Sequence, residues 1–394
     1  MSSAARPLRF AQRIAPLERN VFADMDRAKA AALAAGRDLI DLSLGSSDLP
    51  TAAPVLEAIA DALQDRVTHQ YLLFNDTRDF REAAARWYTD RYGVPVDPET
   101  EVLPLIGSQE GTAHLPLALL EPGDYALLQD PGYPSHAGGV HLAGGKIHTL
   151  PLLAENDFLP DFGVIPAAAL DRARLLVLSY PHNPTSATAN LEFFREAVAF
   201  CERHNLVFAH DFPYGDLVFG GDRPPSVLQA DTGKQRSIEF FTMSKSYNMG
   251  GFRVGYAIGN ADVILALRRI KAVVDFNQYR GILRGAIAAL ESDDRQVAET
   301  VNTFRARRDR LVEALAARGW HVPKPDATMY LWAKLPEHWA ANSIDFCVRL
   351  VKETGVALSP GAGFGESGEG YVRFALVRDP QTLQIAADRV AEFL

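Results

Sequence analysis

Residues 175–180, Leu-Leu-Val-Leu-Ser-Tyr, form a continuous apolar run that stops at Pro181. A strand with one face in water alternates apolar and polar side chains, whereas a strand covered on both faces has no reason to. Similar short runs recur at 206–209, 238–243 and 254–258, and residues 125–129 read as a strand entering the turn Asp130-Pro131-Gly132. Helical spacing fills the intervals, at 79–92, where Gly93 stops it, and at 191–204. Parallel neighbours need a crossover long enough to hold a helix, so this alternation predicts an α/β fold around a mostly parallel sheet. Ligands of such sheets bind beyond the carboxyl ends of the strands.

Asn183, Asp211, Tyr214 and Lys245 all fall just past an expected strand end. Each has an ordinary structural use: Asn183 before Pro184 can open a turn, Asp211 can cap one, and Tyr214 can be a half-buried aromatic. Lys245 is the most informative of them. It follows the apolar run, with hydroxyls at Thr242 and Ser244 and an arginine at 253. An amine partly withdrawn from water is reactive toward an aldehyde. Hydroxyls and a guanidinium suit a phosphate ester. Together they are the parts needed to hold pyridoxal phosphate.

Composition narrows the alternatives. A formal charge of −9 leaves no basic stripe for nucleic acid. Cys201 and Cys347 are too few for a disulfide framework, which suits a reducing cytoplasm. No apolar run approaches the length of a membrane span. The histidines at 114, 136, 141 and 148 lack metal-site spacing, so no metal is expected. The glycines at 361, 363 and 365 lack full dinucleotide-loop spacing and read as a mobile loop near the substrate.

Six segments in order carry a family resemblance: GSQEG (107–111), DPGYP (130–134), YPHNPT (180–185), HDFPYGDLVF (210–219), SKSYNMGGFRVG (244–255) and SPGAGFG (359–365). With them the chain resembles class I/II aminotransferases, fold-type I pyridoxal-phosphate enzymes, and within these the alanine and LL-diaminopimelate aminotransferase branch. The resemblance covers nearly the whole chain, from Asp41 to Phe374. It implies a seven-stranded sheet in a large domain over 50–285. A smaller α+β domain would comprise 1–49 and 286–394, with a helix over 295–318 bridging the two.

The same resemblance assigns roles. Lys245 would hold the cofactor covalently and then carry the proton between the substrate's Cα and the cofactor. Asp211 would pair with the pyridine nitrogen and keep it protonated, and Asn183 and Tyr214 would donate to the phenolic oxygen. Ser108 and the backbone amides of Ser108 and Gln109 would bind phosphate at a helix start. Thr242, Ser244 and Arg253 would complete that cup, and Tyr133 would stack on the ring. Tyr71 would reach the phosphate of a neighbouring subunit, which makes the expected working unit a homodimer with shared sites. Arg373, whose planar fork matches a carboxylate, would take the substrate's α-carboxylate with the Gly45 amide and Asn183. Gln109, Ser186 and Ser46-Ser47 depart from the family pattern without touching these groups.

The expected reaction is a ping-pong transfer of an amino group from an amino acid to a 2-oxo acid. Alanine with 2-oxoglutarate is the favoured pair, and aspartate and LL-diaminopimelate are rivals. A C–S lyase and a non-catalytic regulator are the other readings. Phe22 and residues 275–278 are candidates for the side-chain pocket; Arg78 and Arg280 are candidates for a second carboxylate.

Overall fold

The computed structural model describes residues 8–17 and 21–394; the side chain of Phe22 lies outside the described residues. A two-residue strand β1 (Ile40–Asp41) precedes the central sheet. That sheet contains β2 (Val102–Leu105), β3 (Tyr125–Asp130), β4 (Lys146–Pro151), β5 (Ala173–Leu178), β6 (Val207–Asp211), β7 (Ser237–Thr242) and β8 (Gly255–Gly259). Its seven strands lie in the order β2-β8-β7-β6-β5-β3-β4. Neighbours pair in parallel except at β8, which runs antiparallel to both β2 and β7.

Burial explains the apolar runs. Leu175 and Val177 of β5 face one core together with Ile238 and Phe240, while Leu176 and Leu178 face another with Phe208 and Phe241. Successive side chains of one strand therefore enter opposite cores. Each buried leucine contributes roughly 1.5–3 kcal/mol relative to exposure, so neither face tolerates a polar residue cheaply. The helix Leu191–His204 covers one face with Phe193, Phe194, Ala197, Val198 and Cys201, and Asn190 caps it by accepting from Phe193 N at 2.9 Å. Such a cap stabilises a helix by about 1 kcal/mol.

Strand ends differ slightly from the sequence expectation. β5 stops at Leu178, two residues before the apolar run does, and the chain turns through Tyr180-Pro181. Proline has no N–H for the ladder, and it disfavours further pairing. Asp211 is the last residue of β6, inside the strand. β7 ends at Thr242, and Lys245 sits in the following turn.

Two further sheets complete the fold. β9 (Tyr330–Lys334), β11 (Ser359–Pro360) and β12 (Tyr371–Ala375) form an antiparallel sheet in the order β11-β12-β9. β10 (Val356–Ala357) pairs in parallel with β1, which ties the N-terminal segment to the C-terminal region. The helix Arg295–Ala317 packs on Pro380–Phe393 and, through Arg307, binds Asp48 bidentately at 2.6 and 2.8 Å. Among the described residues no helix is long and apolar enough to cross a membrane.

Candidate active site

One cavity of about 570 Å³ opens at the carboxyl edge of the central sheet. Ser108, Gln109, Tyr133, Asn183, Asp211, Tyr214, Thr242, Ser244, Lys245, Arg253, Arg373 and Gly45 all line it. Strand ends bring most of them there: Ser108 follows β2, Tyr133 follows β3, Asn183 follows β5 and Lys245 follows β7. Arg253 precedes β8, and it reaches the same edge because β8 runs in the opposite direction. Tyr71 does not join this cavity; it is 87% exposed on the chain's own surface.

One end of the cavity is built on backbone. The helix Ser108–Leu119 starts after Gly107, whose positive φ (76°) favours glycine, and no side chain caps its first amides. Those amides and the helix dipole favour an anion. A Cβ on Gly107 would also collide with the Arg253 guanidinium. Thr242 Oγ1 donates to Ser244 Oγ at 2.9 Å, which places both hydroxyls beside the same cavity. The Gln109 side chain has a separate use, since its Oε1 accepts from Tyr133 O–H at 3.3 Å.

Beneath this helix start lies a charged cluster that the residue spacing did not reveal. Lys271, fully buried, places Nζ 3.1 and 2.9 Å from the two Glu110 oxygens and 3.3 Å from Asp275. The ligand atoms of Glu110, His114 and Asp275 lie within 4.8 Å of one another, and the ammonium of Lys271 meets both carboxylates.

Asp211 is 5% exposed. Its Oδ2 lies 3.1 Å from His136 Nε2, while Oδ1 is buried without a partner among the described residues. A buried acceptor left unmatched is costly, and a protonated ring nitrogen would satisfy it. The preceding residue, His210, turns to the other face, where its Nδ1 lies 2.8 Å from the buried carboxylate of Glu239. That contact helps pin β6 to β7. Lys245 Nζ donates to the Gly45 carbonyl at 2.6 Å and stands 5.9 Å from the Tyr214 ring centre.

Tyr330, absent from the sequence expectation, joins this group. Its hydroxyl lies 2.9 Å from that of Tyr214. Burial works against ionising Tyr330, but the charges of Lys245 and Arg373 and the bond from Tyr214 outweigh it, and its pKa falls below the usual phenol value. Burial, and then Tyr330, push Tyr214 well above that value. A Cβ on Gly45 would strike the Tyr330 ring, so that position needs a residue without a side chain.

Arg373, on β12, is 5% exposed and lies between the rings of Tyr330 and Phe364, 4.2 and 4.6 Å from their centres. Nη1 donates to Asn183 Oδ1 at 2.7 Å, and Nη2 donates to the Ser43 carbonyl at 2.8 Å and Ser359 Oγ at 3.3 Å. These bonds hold the guanidinium still, and its Nε has no partner among the described residues. The residues 361–364 form a packed 3-10 turn beside the pocket. Gly361 abuts the Gly368 carbonyl, and Phe364 O accepts from Gly132 N at 2.8 Å.

The helix Val21–Ala34 supplies the pocket mouth through Met25, Asp26 and Lys29. Lys29 Nζ lies 2.9 Å from Asp26 and 3.2 Å from Asp41. Burial lowers the Lys29 pKa, but the two carboxylates outweigh it and leave it raised. The other candidates for the side-chain pocket sit elsewhere. Arg78 pairs with Glu82 at 2.8 Å and Arg280 with Asp76 at 3.2 Å. Asn277 and Gln278 donate to the carbonyls of Leu72 and Leu105.

Tyr330 and His136 were missed for different reasons. Tyr330 meets Tyr214 only because β9 pairs with β12 and lies over the large sheet's edge. His136 carried a local signal, since it stands in the first turn of the helix Pro134–Ala143 directly after a strand-end turn. The residues present thus fit pyridoxal phosphate at three points: an unmatched buried carboxylate oxygen, an uncapped helix start with an arginine, and a lysine between them.

A model of the family "Aminotransferase class I and II" matches residues 37–390. LL-diaminopimelate aminotransferase from Dehalococcoides mccartyi is 42% identical over 98% of this chain and 99% of its own length. The enzyme of that name from Aquifex aeolicus is 40% identical over 97% and 98%. Among solved structures, a probable N-succinyldiaminopimelate aminotransferase from Thermus thermophilus has a TM-score of 0.90 at 45% identity, covering 95% of this chain and 100% of that one. A Thermus thermophilus aspartate aminotransferase mutant reaches 0.91 at 26% identity, covering 98% and 100%. Family model, near-full-length relatives and the cofactor-shaped site agree: the chain belongs to the class I and II aminotransferases, a transaminase family that works with pyridoxal phosphate.

Proposed function

We propose that this aminotransferase moves an amino group between LL-diaminopimelate and a 2-oxo acid such as 2-oxoglutarate. The observation that carries this is the near-full-length similarity, at about 40% identity, to relatives of that name. It favours diaminopimelate over the alanine expected from the sequence. A donor panel with 2-oxoglutarate tests the reading. LL-diaminopimelate should exceed alanine and aspartate by at least about tenfold in kcat/KM, a difference of roughly 1.4 kcal/mol in transition-state binding. Alanine or aspartate ranking first would sink it, and release of pyruvate from cystathionine without amino transfer would indicate a lyase.

When bound, pyridoxal phosphate supplies an electron sink for the pair left as the substrate's Cα loses its proton. This chain's residues do the rest. Lys245 Nζ would hold the cofactor and, when released from it, would take up the proton leaving the substrate's Cα. Asp211 holds the proton on the ring nitrogen, with His136 steadying its second oxygen. Asn183 and Tyr214 orient the phenolic oxygen, and Tyr133 covers the ring. Ser108, Gln109, Thr242, Ser244 and Arg253 hold the phosphate. Arg373, with Asn183 and the Gly45 amide, holds the substrate's α-carboxylate and so aims the Cα–H bond toward Lys245.

The same reading makes the working unit a homodimer. Tyr71 and Leu73 are exposed, as are Val273 and Val274, an apolar set that a second copy would cover. Mixing Lys245→Ala with a Tyr71→Phe variant should restore activity above that of either alone by forming one intact site per mixed dimer. A fully active monomer in sedimentation would contradict it.

A further inference from the structure

We infer that Asp26, at the mouth of the pocket, selects the amino donor by accepting a hydrogen bond from an ammonium at the far end of its side chain. The inference rests on the diaminopimelate reading and names the residue that would recognise the donor's distal end.

Among the described residues, six charged side chains line the pocket: Asp26, Lys29, Asp211, Lys245, Arg253 and Arg373. Four have tasks at the cofactor or the α-carboxylate, which leaves Asp26 and Lys29. Lys29 is not a free cation, because it is shared between Asp26 and Asp41. Asp41 is not a free acid either: its Oδ1 takes Ser43 N and Oγ at 2.9 and 2.6 Å, and its Oδ2 takes Lys29. Two carboxylates and one ammonium leave one negative charge at the mouth. The Asp26 side chain is 72% exposed, so its carboxylate keeps acceptor sites open to a ligand. A distal ammonium would meet a charged acceptor there.

The position of Asp26 is tied to the reacting end by a continuous chain. Arg373 Nη2 bonds the Ser43 carbonyl at 2.8 Å, Ser43 bonds Asp41, Asp41 bonds Lys29, and Lys29 bonds Asp26. Lys29 is the positioning residue in this arrangement.

The test compares LL-diaminopimelate with L-2-aminopimelate, which has the same carbon chain and distal carboxylate but lacks the distal ammonium. Wild-type holoenzyme and Asp26→Asn are assayed with 2-oxoglutarate. The ratio of the two kcat/KM values should fall by about three- to tenfold in the variant, the range for a partly exposed charged hydrogen bond. A ratio that stays constant, even if both values drop together, overturns the inference, because a purely structural role lowers both alike. Failure of the diaminopimelate reading shows separately, as no turnover of LL-diaminopimelate by wild type. The Asp26 ratio is then read on lysine against norleucine, with the same two outcomes.

Discussion

Lys245→Ala is expected to lower kcat by about 10⁴-fold or more, since in the proposed mechanism it removes both the covalent hold on the cofactor and the proton carrier. The geometry gives the reason for so large an effect. Lys245 Nζ is the amine beside Gly45 O and the Tyr214–Tyr330 pair, whereas Lys29 is already committed to two carboxylates. Among the described residues no second amine in the pocket is free to take over the proton transfer. The variant should still fold, because this side chain makes a single hydrogen bond to the rest of the protein. Single-turnover formation of the 2-oxo acid, read beside a thermal melt, checks both halves. A loss smaller than about tenfold with the fold intact would remove Lys245 from the proton-transfer step.

Asp211→Asn is expected to reduce kcat by about 10²–10³-fold while leaving the cofactor-free protein at least as stable as wild type. The kinetic loss is that of removing one preorganised charge from a site shielded from water. The stability sign follows from the unmatched Oδ1: a neutral amide costs less to bury than a carboxylate with one oxygen left unmatched. Function and stability therefore pull in opposite directions at this residue. Asp211→Glu should fall between the two in activity, since it keeps the charge but displaces it. Half-reaction kinetics and melts of the cofactor-free proteins provide the measurement. An Asn variant that keeps nearly full activity would show that the ring nitrogen needs no counter-charge from this residue.

Much of the molecule could be read along the chain, because its signals are local. The run 175–180 implies a strand buried on both faces, and Leu175 and Leu176 do enter opposite cores. The strand-end positions of Asn183 and Lys245 follow from where apolar runs stop, since backbone pairing ends where side chains no longer have a core to enter. Helix limits such as Leu191–His204 follow from an asparagine cap and an apolar stripe. Loop order did not need three dimensions either, as the carboxyl edge of a parallel sheet collects its loops in one place.

Packing decided what pairs across the chain. Arg253 reaches the cavity because β8 is reversed, a matter of sheet order that no single segment encodes. Tyr330 reaches Tyr214, and Arg373 lies between Tyr330 and Phe364, only after the C-terminal sheet settles over the pocket. The close approach of Gly361 to Gly368 O makes the glycine-rich residues 361–364 a packed turn. Asp26 and Lys29 line the pocket from a helix that Lys29 ties to Asp41 at a strand edge. Which strand-end residues gather at one edge of the sheet was determined by the sequence alone, because burial periodicity and strand ends are local properties. Which charges remain free to meet a substrate was decided by the tertiary structure, because that depends on partners far away in the chain.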